Sequence, residues 1–427
     1  MFETIRNAWK VAELRKKLFY TLLMIVVFRL GSVIPVPMLD PAQLEQIFAS
    51  TNNSLLGFIN VVSGGAFQNT TIFAMSITPY INASIIMQLL CVAIPALERL
   101  QKEGEEGRKK IAQIQRGATI VLALIQAIGL YFLLDSYKAV TNPGFWTAVV
   151  VVTTFSAGTA FLMWLGEQIT EKGIGNGISL IIFAGIVSGG PAMATSLYQY
   201  MLGGTAKVIG AILVIVIALF VIAFVVAMHE AERRIPVQYA KRVVGRKMYG
   251  GQNTHIPIKV ASAGVMPIIF AMSIMSFPGT IASFCGVQAG DAGFWGSFLK
   301  YFSPNHWVYA IAYFFLIIFF TYFYTAIQFN PIEMANNMKK NGGFIPGIRP
   351  GRPTSYFISR VLSKVTLAGA IFLGFIAVIP IFMNIGLNIN NFAIGGTSLI
   401  IVVGVALETV NQLESQMLMR HYKGFLE

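Results

Sequence analysis

Charge is scarce in this chain: 31 Lys and Arg and 18 Asp and Glu among 427 residues make 11 %, where a soluble globular protein carries roughly a quarter. That shortage excludes an ordinary soluble enzyme. Cysteine is nearly absent too. Cys91 and Cys285 lie in or at the end of separate apolar runs on opposite faces of the expected topology, which argues against a disulfide or a Cys-based metal centre. The four histidines, His229, His255, His306 and His421, show no HExxH-type spacing, and no Walker lysine motif is present. The sequence therefore predicts no cofactor, no metal and no nucleotide engine, and any energy for work must come from a partner or an ion gradient.

What is there is apolar, 56 % of the residues, in runs close to the roughly 20 residues a helix needs to cross about 30 Å of hydrocarbon. Alternation with a period of two, the mark of a membrane barrel, is not sustained anywhere. Ten stretches read as spans, about 18–34, 71–95, 116–134, 146–166, 176–200, 208–228, 258–284, 306–329, 363–384 and 393–413. With the N-terminus in the cytosol, 27 Lys and Arg fall inside and only Lys138, Lys207 and Lys300 outside, Arg29 lying within the first span. That asymmetry predicts ten spans with both termini cytosolic. No small-residue cleavage site follows the first apolar run, so the tail is not read as a removable signal. Phe2, Ile5, Trp9 and Ala12 recur at helical spacing before that run and predict a short amphipathic helix at the membrane surface, residues 1–17.

Spans as a rule carry ionisable residues at mid-depth only for function. Here just Arg29 and Glu408 qualify, and helix-end placement or structural pairing accounts for both. Gly173-Ile174-Gly175-Asn176-Gly177 lacks the strand a phosphate-binding loop needs and reads as a tight turn opening the fifth span. Breaks at Pro79, Gly189-Gly190-Pro191, Pro267 and Pro278 suit either a pathway or kinks in a passive bundle. Leu55-Leu56-Gly57-Phe58-Ile59-Asn60-Val61-Val62, followed by Ser63-Gly64-Gly65, is an apolar half-span that must be sheltered in protein or in a re-entrant funnel. Two loops of about thirty residues, 229–257 and 330–362, are dense in Lys, Arg, Gly and Pro, longer than helix connections need. They suit docking of something large and acidic, either phosphate-rich RNA or an acidic protein.

Motifs then specify a family. Phe28-Arg29-Leu30-Gly31-Ser32, Thr78-Pro79-Tyr80-Ile81-Asn82-Ala83-Ser84-Ile85, Trp164-Leu165-Gly166-Glu167-Gln168-Ile169-Thr170, Tyr239-Ala240-Lys241-Arg242, Phe344-Ile345-Pro346-Gly347-Ile348-Arg349-Pro350-Gly351 and Gly395-Gly396-Thr397-Ser398-Leu399 occur in order. With these the chain resembles, over essentially its whole length, the SecY family of protein-translocation channel subunits. The resemblance implies an all-α polytopic membrane protein of ten helices in two pseudo-symmetric halves, 18–200 and 201–413, around an hourglass pore, with 414–427 a cytosolic tail. It implies a pore ring at Ile77, Ile81, Ile182, Ile186, Ile269 and Ile401. It also implies a plug over Leu55, Leu56, Gly57, Phe58, Ile59, Asn60, Val61, Val62, Ser63, Gly64 and Gly65, and a lateral gate carrying Thr78, Asn82, Ser84, Gln88, Ser273 and Ser276. Docking would fall to Lys241, Arg242, Arg246, Lys339, Lys340, Arg349 and Arg352, with Arg349 at the position of a family arginine essential for that step. The implied partners are SecE and SecG, the SecA motor ATPase, the ribosome, signal sequences and nascent polypeptides, and membrane lipid, all at the bacterial cytoplasmic membrane. The rival reading, a secondary transporter for a small solute, calls for midplane carboxylates or histidines and short cytosolic loops, the reverse of what is seen.

Overall fold

Each of the ten apolar stretches folds as helix. The computed structural model describes residues 6, 8–40, 66–67, 69–136, 138–202, 205–239, 242–244, 247–249, 253–261, 264–284, 294–302, 306–387 and 396–423. Helix α1 (Ala12–Gly31) buries Leu14, Thr21 and Phe28, seven residues apart, along one stripe. Its other faces are apolar yet exposed, with Phe19, Leu22, Val26 and Leu30 open to the surroundings, as expected of a helix bathed in lipid rather than water. Pro79 sits in the first turn of α2 (Thr78–Ala93), where its missing N–H costs nothing. Ile94 is extended and Pro95 opens α3 (Pro95–Lys102), bent 100° from α2, because a residue before proline avoids the helical region. On α3 the Lys102 ammonium, 2.6 Å from Glu98, holds that exposed carboxyl below its usual range.

Long helices α4 (Glu105–Ser136) and α5 (Phe145–Lys172) follow, then α6 (Gly177–Ser188) and α7 (Gly190–Met201), which together make up the fifth stretch, and α8 (Thr205–Glu230). The second half holds α9 (Met266–Phe284), the short α10 (Phe294–Tyr301), α11 (Trp307–Gln328), α12 (Pro331–Lys340), α13 (Arg352–Leu387) and α14 (Gly396–Lys423). Among the described residues six helical runs are long and apolar enough to cross a membrane, in α4, α5, α8, α11–α12, α13 and α14, and a seventh if α2 and α3 form one broken span. Helix α6 and the first part of α9 are shorter apolar helices. Burial separates centre from rim: 56 % of the most apolar stretch of α13 is buried but only 22 % of that in α8.

Five short strands interrupt the helices in the two long loops. Strands β1 (Glu232–Tyr239) and β4 (Asn253–Lys259) pair antiparallel from Glu232↔Lys259 to Gln238↔Asn253. The tip between them carries β2 (Arg242–Val244) and β3 (Lys247–Tyr249), paired to each other. From the second loop, β5 (Gly343–Phe344) adds to the free edge of β1 through Gln238↔Phe344 and Tyr239↔Gly343, giving the order β4-β1-β5. The two loops, separate in the sequence, are thus one body at the end of the bundle where α8 and α11 finish and α9 and α13 begin.

Residues 1–5 and 7 of the expected N-terminal amphipathic helix lie outside the described residues. In the part that is described, Ala8 and Leu14 are buried against Ile174 and Leu413, while Trp9 is exposed, so the large ring faces outward, as a membrane-surface segment requires. The Gly173–Gly177 segment is a tight turn. Gly175 has φ +87°, and the Asn176 side chain accepts from the N–H groups of Ile178 and Ser179 and so caps α6.

Candidate functional site

Two apolar cores divide the helical body. One gathers Ala123, Ala127, Leu134, Val151 and Phe155 of α4 and α5 with Met75 and Val140. The other gathers Val225, Ile268, Phe270, Tyr313, Ile317, Phe320 and Phe372 of α8, α9, α11 and α13. A third cluster lies between them and draws on both halves, and all six isoleucines of the expected ring belong to it. Ile77 caps α2 and is fully buried, Ile182 in α6 and Ile401 in α14 are 4 % exposed, and Ile81, Ile186 and Ile269 are partly buried around them. The Ile81 N–H bonds the Ile77 carbonyl at 3.1 Å, one turn apart, so the two branched chains stack on one face. Phe28, Leu165, Val265 and Val405 fill the same cluster. Four separately folded elements thus converge on one cluster of branched aliphatic groups, an apolar surface that disfavours water.

Helix α2 bridges the central and second clusters. Ile81 packs on both the central and the second-half clusters, and Ile85 belongs to the second-half core although α2 is part of the first. On this helix Asn82 is 6 % exposed, and its Oδ1, like the buried Oε1 of Gln88, meets no hydrogen-bond partner among the described residues. Thr78 and Ser84 are half-buried, as is Ser273 on α9, and the side chain of Ser276 lies outside the described residues. Beside Gln88 a cavity of about 360 Å³ is lined by Cys91, Gln101, Arg108, Gln115 and, from across the seam, Ile327 of α11.

The loop body has its own core: Ile235, Val237 and Ile258 of the sheet pack on Met338 of α12, Ile345, and Ile358 and Leu362 of α13. Asn330 caps α12 by accepting from the N–H groups of Ile332 and Glu333, and Lys339 and Lys340 occupy its last turn, where cations complement the helix dipole. Between β5 and α13 the chain makes a turn in which the Ile348 N–H bonds the Ile345 carbonyl at 3.0 Å. Gly347 and Gly351 take φ +83° and +106°, values that suit glycine. The Thr354 hydroxyl donates to the Arg349 carbonyl at 2.9 Å and the Ser355 N–H to Gly351 at 3.1 Å. The Arg349 carbonyl is therefore tied to the start of α13 while its side chain is exposed, with no ion-pair partner among the described residues. Arg352, exposed, begins α13. Lys241 and Arg246 lie outside the described residues, as does the expected plug from Leu55 to Gly65, and only the backbone of Arg242 is described, on β2.

Sequence reasoning missed three cross-links. Arg116 and Glu167 both sit inside helices and join α4 to α5 at 2.7 Å. Tyr20 donates to Gln168 at 3.4 Å, tying α1 to α5, and Lys17 donates to Gln416 at 3.3 Å, tying α1 to α14. Partners 51 to 399 residues apart leave no periodic trace in a single sequence.

Comparison with known proteins points to one family. The family model described as SecY matches residues 71–410. The chain is 45 % identical to the protein translocase subunit SecY of Streptomyces galbus and 46 % identical to that of Halalkalibacterium halodurans, each alignment covering 100 % of both chains. Among solved structures, one described as a protein-conducting channel superposes with TM-score 0.68 at 20 % identity, over 94 % of this chain and 92 % of that one. Sec61 from the canine ribosome–channel complex of the endoplasmic reticulum superposes with TM-score 0.65 at 19 % identity, over the same shares.

Proposed function

This chain belongs to the SecY family, as a multi-pass membrane protein of a protein-conducting channel and not an enzyme, and from that premise we propose that the central isoleucine cluster is the channel's resting seal. The observation that carries the reading is convergence: six isoleucines from α6, α9, α14 and the start of α2 meet in one apolar cluster between the two half-cores. A ring of branched aliphatic side chains blocks ions by dewetting, yet it yields around a passing polypeptide without asking for a sequence. The segment from Leu55 to Gly65 acts as the plug that backs that ring, in keeping with its apolar sequence, too short to span. The α2–α9 seam, with Thr78, Asn82, Ser84, Gln88, Ser273 and Ser276, is the lateral gate through which signal sequences and membrane segments leave for lipid.

The loop body is the docking surface for the SecA motor or a translating ribosome, with Lys241, Arg242, Arg246, Lys339, Lys340, Arg349 and Arg352 as its cations. Support comes from the common core that joins the two loops and from the exposed Arg349, whose carbonyl accepts from the Thr354 hydroxyl. The channel works with SecE and SecG in a bacterial cytoplasmic membrane, both termini cytosolic, a placement supported by the 27 to 3 split of Lys and Arg. The relatives give the solute-transporter reading no support. The test of the seal is ion conductance of the reconstituted complex in planar bilayers: Ile81→Asn and Ile401→Asn conduct at rest if these side chains form the seal, and an unchanged conductance in folded variants counts against it.

A further inference from the structure

Helix α14 carries a glycine in mid-span, Gly404, a residue that weakens a helix relative to alanine unless close packing calls for it. Here packing does. A Cβ on Gly404 would lie 2.5 Å from Cγ2 of Val265, in the turn entering α9, and 3.5 Å from Cε1 and Nε2 of His229, at the end of α8. Val265 is β-branched, with little choice of rotamer, and is 9 % exposed, so it has little room to swing aside. Nonbonded carbons settle about 3.5–4.0 Å apart, so a methyl here would need α14 and Val265 to part by roughly 1 Å.

The position of this contact matters. Val265 lies one turn before Ile269, whose N–H bonds the Val265 carbonyl at 3.3 Å, and Gly404 lies one turn after Ile401. Val265, Ile269 and Ile401 share the central cluster. We propose that Gly404 is a spacer: by letting Val265 touch the bare backbone of α14, it sets the separation of Ile269 and Ile401 and so the tightness of the resting seal. This rests on the isoleucine ring reading above. Gly404 is a positioning residue that touches neither ion nor substrate, and the ring radius is what it controls. A gate that works by dewetting is steep in radius, so a small displacement is read out as leak.

The test is resting ion leak of the complete reconstituted complex in planar bilayers, with Gly404→Ala, Gly404→Val, the pair Gly404→Ala with Val265→Ala, and Ile401→Asn as the reference for an open seal. The spacer predicts leak rising from Gly404→Ala to Gly404→Val toward the Ile401→Asn level, and falling back when Val265→Ala removes the opposing methyl groups. Should Gly404→Val fail to accumulate, Gly404→Ala and its rescue decide the question. A tight Gly404→Ala channel beside a leaky Ile401→Asn, or a leak that Val265→Ala does not relieve, overturns the spacer and leaves the ring standing. A tight Ile401→Asn channel overturns the ring and the spacer with it.

Discussion

If Arg349 acts because a folded body presents it, then breaking that body without touching a charge must silence the motor as surely as removing the arginine. Ile345 is the place to cut: it is 3 % exposed and packs in the loop core beside Ile235, Ile258 and Met338, four residues before Arg349. Truncating a buried isoleucine to alanine costs about 2–5 kcal/mol, a shift of roughly thirtyfold or more in the population of the intact body. The second loop pairs with the sheet through only two residues of β5, so the apolar core around Ile345 carries most of the joint. Arg349 by contrast is exposed, and its replacement alters stability by no more than about 0.5 kcal/mol. The expected outcome is that Ile345→Ala and Arg349→Glu both abolish SecA-driven precursor import and translocation-stimulated ATP hydrolysis, while only Ile345→Ala opens the loops to protease. Arg349→Lys is clearly impaired, since an ammonium lacks the planar fork, and Lys339→Ala and Arg352→Ala are mild. A diffuse basic patch predicts otherwise: Ile345→Ala keeps every charge and imports normally. Near-normal import by Ile345→Ala, or by Arg349→Glu, refutes directed presentation.

Other perturbations follow from the same geometry. Replacing Ile81 by Asn admits precursors with weak signal sequences as well as ions, checked by import of signal-defective precursors, because a wetted constriction no longer favours the closed state. Deleting residues 55–63 leaves translocation intact but the idle channel leaky; loss of assembly with SecE instead would make the segment structural. Gly177→Ala drives a Cβ into the Gly166 carbonyl oxygen, backbone that cannot swing aside, and is expected to cost about 1–3 kcal/mol or more, measured as a lowered melting temperature of the purified complex. The Arg116–Glu167 pair is partly exposed, 49 % and 28 % at the side chains, so a double-mutant cycle with alanines is expected to give a coupling below about 1 kcal/mol.

The helical body was legible because lipid demands a long apolar run for every crossing, and each of the ten runs carries helix. The break at Ile94-Pro95 was missed, although its proline carried the signal, whereas the Gly173–Gly177 turn was read from its glycines and Asn176. The ring was visible only through resemblance: isoleucines in an apolar helix look like any core, and nothing in their spacing says that α2, α6, α9 and α14 meet. The loop body was not legible at all. Its deciding contact is a two-residue strand, Gly343–Phe344, pairing with Gln238 and Tyr239 about a hundred residues away, too short for any alternation to appear. Arg116 and Glu167 were invisible as a pair for the same reason, since electrostatic partners across helices follow packing and not period.

The most direct test of the account places the complex of this chain with SecE and SecG in sealed vesicles and adds SecA, ATP and a radiolabelled secretory precursor. The account predicts precursor that becomes protease-protected inside the vesicles, dependent on ATP and on an intact signal sequence, and lost with Arg349→Glu. Vesicles that hold the folded complex and bind SecA, yet protect no precursor under any of these conditions, would contradict it.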